Sequence, residues 1–137
     1  MPDTVRKVSC FSIQVADKPG AAIKVLSTLV SGGINLLACS GVTRGRRAEI
    51  TVVPEQTQRF NTVVRKAGLD FHSDKTGFLI QGEDRPGALA KHLQKLAAAG
   101  INVAGVDAVS AGKARWAAIL WLDPADLAGA GRRLRAK

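Results

Sequence analysis

"FSIQVADKPGAAIKVLSTLVSGGIN", residues 11–35, returns as "FLIQGEDRPGALAKHLQKLAAAGIN", residues 78–102. The two stretches align without a gap, and Phe, Ile, Gln, Asp, Pro, Gly, Ala, Lys, two Leu, Gly, Ile and Asn coincide. A self-match at one fixed offset means that a single supersecondary unit is used twice. The repeat implies two small domains, residues 1–74 and residues 75–137, rather than one ordinary one.

Each copy opens with alternation of the kind a strand produces: Phe11, Ile13 and Val15 share a face, as do Phe78 and Ile80. Helical spacing follows, with Ala22, Ile23, Leu26, Leu29 and Val30 forming one expected stripe and Leu89, Ala90, Leu93, Leu96 and Ala97 the other. Gly33 and Gly100 then end the helices, because a residue without Cβ accepts the left-handed C-cap.

Beyond each helix two strands flank a turn: "LLACSGVT" and "AEITVV" around "RGRR", then "VAGVDAVS" and "RWAAILWL" around "AGK". A second helix is expected over Thr57 to Ala67, and its counterpart from Pro124 onward, where Asp123 can cap and Pro suits the first turn. A short strand over Leu69 to Asp74 closes the first copy. The order βαββαβ gives an α+β fold of two ferredoxin-like repeats, each with its helices on one face of an antiparallel sheet. The second repeat lacks its final strand, so the segment from Thr76 to Gly82 is expected to have an open edge, available to another chain or to the last strand of repeat one. The strand from Trp116 to Leu122 is apolar on both faces, so both are expected to be covered.

The chain has 137 residues, is 46% hydrophobic and carries a formal charge of +9. No apolar run reaches the length of about 18 residues that a membrane span needs. "MPDTVRKVSC" has no apolar stretch behind it to act as an export signal, so a cytoplasmic location without membrane contact is the expectation. The positive charge raises nucleic acid as a partner. Against it, there is no Tyr, Phe11 and Phe78 belong on the helix side, and the basic clusters "RGRR" and "RRLRAK" read as a turn and a tail. Basic nucleic-acid binding or protein interaction by a ferredoxin-like module is the alternative reading.

Cys10 and Cys39 form no framework and lie on strands expected to be two spacings apart, so they are expected to be free, small buried hydrophobes. His72 and His92 stand alone, without the spacing of a metal site. No nucleophile beside a base and no phosphate loop is present, which argues against an enzyme and against a cofactor.

The repeated entry has chemistry of its own. A helix N-terminus offers unpaired N–H groups and a partial positive charge to a small anion. Gly20 and Gly87 let a ligand approach the main chain, Asp17 or Asp84 can receive an ammonium, and Asn35 or Asn102 brings an amide. These groups match a free α-amino acid. Plain helix capping accounts for the same residues without a ligand.

The two quoted stretches resemble the first strand and helix of ACT domains, regulatory βαββαβ modules that bind amino acids, and the resemblance covers nearly the whole chain. It implies a non-catalytic regulatory protein, a homodimer, sensing a free amino acid between ACT-like domains and acting on a separate enzyme or regulator. The ligand contacts it implies are Asp84, Pro86, Gly87, Ala88, Leu89, Asn102 and Val103, and in the first copy Asp17, Pro19, Gly20, Ala21, Asn35 and Leu36. Ala22 stands where such domains more often carry a larger aliphatic residue, whereas Leu89 keeps the pattern.

Overall fold

The structure, a computed structural model, describes residues 3–137. In chain order these form β1 (Thr4–Ala16), α1 (Ala21–Ser31), β2 (Leu36–Arg44), β3 (Arg47–Pro54), α2 (Thr57–Ala67), β4 (His72–Glu83), α3 (Ala90–Ala98), β5 (Val103–Gly112), β6 (Arg115–Leu122), a 3-10 turn (Pro124–Asp126) and α4 (Leu127–Leu134). This is the α+β fold of two ferredoxin-like repeats, the second without a final strand of its own. Asp123 caps the last helical segment through its carboxylate, which accepts from Ala125 N–H at 2.9 Å.

The chain divides into two compact units, residues 9–74 and residues 75–137 with the N-terminal segment to Val8. Residues 3–8 therefore group with the later repeat. The expected strand from Leu69 to Asp74 is shorter, beginning at His72, and runs on without a break into the next repeat's first strand as β4.

In the unit of residues 9–74 the strand order is β2-β3-β1. Phe11 lies opposite Val52 and Ile13 opposite Ile50. Residues 72–74 complete this unit beside β1: the buried Ser12 hydroxyl donates to Asp74 Oδ2 at 2.9 Å and meets Thr51 Oγ1 at 2.8 Å. Phe11, Ile13, Val25, Leu29, Ile50, Val52, Phe60 and Val64 make the core, with the Phe60 ring 4.8 Å from Phe11 and 5.1 Å from Phe71.

The phase of α1 differs from the expected stripe. Val25 and Leu29 face the core, while Ile23 and Val30 are 64% and 72% exposed and Ala22 is exposed. The apolar arc of α1, from Val25 round to Ile23, is wider than the face it buries, so spacing alone does not choose which part of the arc is covered. Its exit follows the expected form: Gly33 has φ 75°, and Ile34 N–H reaches back to Leu29 carbonyl at 3.0 Å.

In the other unit the order is β5-β6-β4, with Phe78 opposite Leu120 and Ile80 opposite Ala118. Its core holds Phe78, Ile80, Ala88, Leu96, Trp116, Leu120, Ala130, Leu134 and, from the N-terminal segment, Val5. On α3, Ala90 and Ala97 are exposed, and the buried face is set by His92 and Leu96, with Ala88 of the entry turn also buried. Ile119 and Trp121, on the other side of β6, are also buried, which agrees with a strand covered on both faces.

The edge of β4 is not open. β1 is its neighbour, Thr4 Oγ1 approaches Gln81 carbonyl at 3.5 Å, and Lys137 N–H donates to Val5 carbonyl at 3.0 Å. Residues 4–8 thus stand where the missing fourth strand belongs. Neither another chain nor the end of repeat one was needed; the occupant comes from the opposite end of the sequence.

Cys10 and Cys39 are free, as their strands' separation requires, but only Cys10 is buried. Cys39 lies on β2, an edge strand with β3 on one side only, and its thiol is exposed.

Candidate functional site

Each helix entry is held by the neighbouring hairpin. Asp17 N–H donates to Arg46 carbonyl at 3.2 Å, and Asp84 N–H donates to Ala114 carbonyl at 2.8 Å. Both turns thereby fix where β1 or β4 leaves the sheet. The entry then turns through a left-handed glycine, Gly20 at φ 87° and Gly87 at φ 80°. No atom lies within 4 Å of the place where either glycine would carry a Cβ. This is open space beside a positive helix end.

Capping by the entry aspartates is not what the structure shows. Neither α1 nor α3 receives a side-chain hydrogen bond at its N-cap. Backbone bonds take up part of each first turn instead: Ala21 N–H donates to Lys18 carbonyl at 3.3 Å in α1, and Lys91 N–H to Gly87 carbonyl at 3.3 Å and His92 N–H to Leu89 carbonyl at 3.1 Å in α3.

Beside the α3 entry lies an open groove of about 490 Å³. Asp84, Arg85 and Gly87 form its mouth, Ala88, Leu89, Ala90 and Leu93 one wall, Ala108, Val109 and Ser110 of β5 the other, and Trp116 of β6 its floor. The lining is largely apolar and the mouth carries both signs of charge. Such a groove suits a small zwitterion: a carboxylate on the helix N-terminus, an ammonium on Asp84, and a side chain against Leu89, Leu93 and Val109.

Of the residues expected at this site, Asp84, Gly87, Ala88 and Leu89 line the groove, and Pro86 lies exposed in the same turn. Asn102 and Val103 lie at the far end of α3, a helix of nine residues and so on the order of 14 Å long. β5 shows the same separation: Val103 pairs with Leu122 whereas Ser110 pairs with Trp116. Asp17, Pro19 and Gly20 are exposed at the α1 entry, with Ala21 half-buried. Asn35 and Leu36 lie beyond the other end of α1, where Asn35 Nδ2 donates to Glu55 Oε2 at 3.5 Å and its carbonyl accepts from Glu55 N–H at 2.9 Å. Within one repeat, then, a helix entry and its Gly-Ile-Asn exit do not meet.

Sequence reasoning missed Trp116 as the groove floor and the polar cluster behind it. Asp3 Oδ2 sits 2.7 Å from His92 Nε2 and 3.7 Å from Lys91 Nζ, and the Asp3 and His92 side chains are only 2% and 4% exposed. Burial alone pushes the Asp3 carboxyl up, but the hydrogen bond from His92 and the charges of Lys91, His92 and Arg85 outweigh it and hold the group below its ordinary value. The signal was present: His92 stands where the first repeat has Val25. Among the described residues no group of three or more His, Cys, Asp or Glu side chains is placed to hold a metal, and no helix is long and apolar enough to cross a membrane.

No family model matches the sequence, nor does any curated protein. Solved structures do share the fold. A protein of Bacteroides thetaiotaomicron superposes with a TM-score of 0.77 at 20% identity, over 97% of this chain and 88% of that one. The ligand-free regulatory subunit of aspartate kinase from Thermus thermophilus gives 0.63 at 19%, over 98% and 95%. Aspartokinase III of Escherichia coli, in complex with lysine and aspartate, gives 0.57 at 9%, over 98% of this chain and 32% of that enzyme. At these identities the likeness is one of fold: two ferredoxin-like repeats, arranged as in the regulatory subunit of aspartate kinase.

Proposed function

We propose that this chain is a non-catalytic regulatory protein whose ACT-like repeats sense a free amino acid. The observation that carries this reading is the uncapped α3 entry opening on the groove of about 490 Å³. A helix entry built only for stability would place Asp84 as its cap; here that side chain is left for the mouth of the groove. The solved aspartokinase III complex makes lysine and aspartate the first effectors to test.

Because Gly87 and Asn102 lie at opposite ends of α3, a ligand that touches both kinds of group needs a second ACT-like repeat against the groove. We assign that role to a second copy of the chain, making the working unit a homodimer. The signal then passes to a separate enzyme or regulator as a shift between two packings.

Thermal melting with each standard amino acid tests the reading. A ligand at about a hundred times its dissociation constant adds nearly 3 kcal/mol. One or a few amino acids are expected to raise the melting temperature of the wild type, and Val109→Trp, which fills the groove, is expected to abolish the rise. No shift with any amino acid counts against the proposal.

A further inference from the structure

The groove beside α3 has a charge balance as well as a shape. Of the residues that line it only Asp84 and Arg85 are ionisable, and both stand exposed at its mouth. An α-amino acid carries one charge of each sign on its α-carbon, so an ammonium at Asp84 and a carboxylate at Arg85 use the pair completely. The lining then holds no further charge for a ligand's side chain to meet.

Past the mouth the surfaces are carbon. Leu89 and Leu93 line one wall and Val109 the other. Val109 is 64% exposed on the edge strand β5, so an apolar group laid against it removes from water a surface that the fold itself leaves wet. On the floor, the polar atom of Trp116, Nε1, is buried beside Gly82 of β4, where a Cβ would come within 3.1 Å of it. A ligand on that floor meets ring carbon. Ser110, opposite Trp116 in the β5–β6 register, adds a hydroxyl but no charge. A charged side chain set against these walls gives up hydration without gaining a partner.

We infer that the effector of this groove is an amino acid with an uncharged aliphatic side chain, its α-groups held at Asp84 and Arg85 and its side chain lying between Leu89, Leu93 and Val109 over Trp116. The inference rests on the reading of this groove as an amino-acid sensor and names the class of amino acid sensed. Lysine and aspartate, which bring a third charge, are the ligands it rejects.

Isothermal titration calorimetry on the full chain tests the class with alanine, norvaline, norleucine, lysine and aspartate. Lysine is norleucine with an ammonium at the end of its side chain, so that pair isolates the charge. From alanine through norvaline to norleucine the dissociation constant is expected to fall about fourfold per added methylene. Lysine is expected to bind about tenfold or more weakly than norleucine, and aspartate no better than alanine. Val109→Glu puts a carboxylate on the apolar wall at an exposed edge position, away from the core, and is expected to reverse the order of lysine and norleucine. Lysine or aspartate binding the wild type more tightly than norleucine overturns the inference and leaves amino-acid sensing in place. An unchanged preference for norleucine in Val109→Glu overturns it as well, because the side chain then lies elsewhere. Binding of none of the five nor of any other amino acid overturns both the inference and the reading beneath it.

Discussion

Val25 and His92 occupy the same place in the two repeats, and both are buried, at 5% and 3% exposure. The first packs among apolar neighbours; the second turns its Nε2 to the Asp3 carboxylate at 2.7 Å. One position of a common helix has become the seat of a polar pair in only one copy.

Replacing His92 by Val, the residue of the first repeat, therefore strands a carboxylate instead of restoring a simpler core. Removing one member of a buried pair costs about 3 to 5 kcal/mol when the other cannot leave. Asp3 lies at the tip of a strand and can withdraw, so His92→Val is expected to cost about 2 kcal/mol by urea unfolding. Asp3→Ala with His92→Val is expected to cost less than the sum of the two single changes by about 1 kcal/mol. Additive losses would show that the two side chains are not coupled.

The pair also sets a pH dependence. The folded protein holds the Asp3 carboxyl below its ordinary value. A group depressed in this way contributes stability that is fully present above the unfolded-state carboxylate value, about 3.9, and is lost as pH falls through the lower folded-state value. In acid the neutral carboxyl also leaves Lys91, His92 and Arg85 facing one another without an anion. The wild type is expected to lose its stability advantage over Asp3→Asn as pH falls below about 4. Urea midpoints of both proteins across that range give the difference curve; a gap that stays constant with pH would remove Asp3 as its source.

The two thiols offer a direct view of β2. Cys39 is exposed, yet partial desolvation pushes its thiol up, so it carries less thiolate near neutrality than free cysteine. Cys10 is 1% exposed. In the folded protein a soluble aromatic disulfide is expected to modify one thiol, more slowly than it modifies free cysteine, and a second only after unfolding in urea. Mass spectrometry of the labelled chain counts them; two fast reactions would mean that β1 opens readily at Cys10.

Much of this fold is legible because the sequence states it twice. The offset from Phe11 to Phe78 defines the repeat, and Thr57 to Ala67 coincides with α2. The phase of α1 was not legible, since Ile23, Val25, Leu26, Leu29 and Val30 form an apolar arc wider than the face that is buried, and Lys24, Ser27, Thr28 and Ser31 mark only the side opposite it. Nor was the occupant of the β4 edge, because pairing between residues 4–8 and β4 depends on contacts some 75 positions apart that no local pattern encodes. At the site, Gly87 and Asp84 could be found from the repeated entry. Trp116 could not, since its apolar neighbours in β6 read as core whichever way they face.

The glycines separate what the backbone requires from what space requires. At Gly87 a Cβ meets nothing within 4 Å, so Gly87→Ala bears only the strain of φ 80°. That strain is about 1 kcal/mol. At Gly77 the conformation is ordinary, but a Cβ would run into the Leu120 carbonyl and lie 2.7 Å from Trp121 Cε3. Neither neighbour yields easily, because Leu120 belongs to the central strand β6 and Trp121 is 7% exposed with its Nε1 donating to Asp107 Oδ2 at 3.3 Å. Gly77→Ala is expected to cost about 3 kcal/mol, in the range of overpacked cores. Urea unfolding of the two variants checks the order, and a Gly87→Ala loss equal to that of Gly77→Ala would mean that the open space beside α3 is filled in solution.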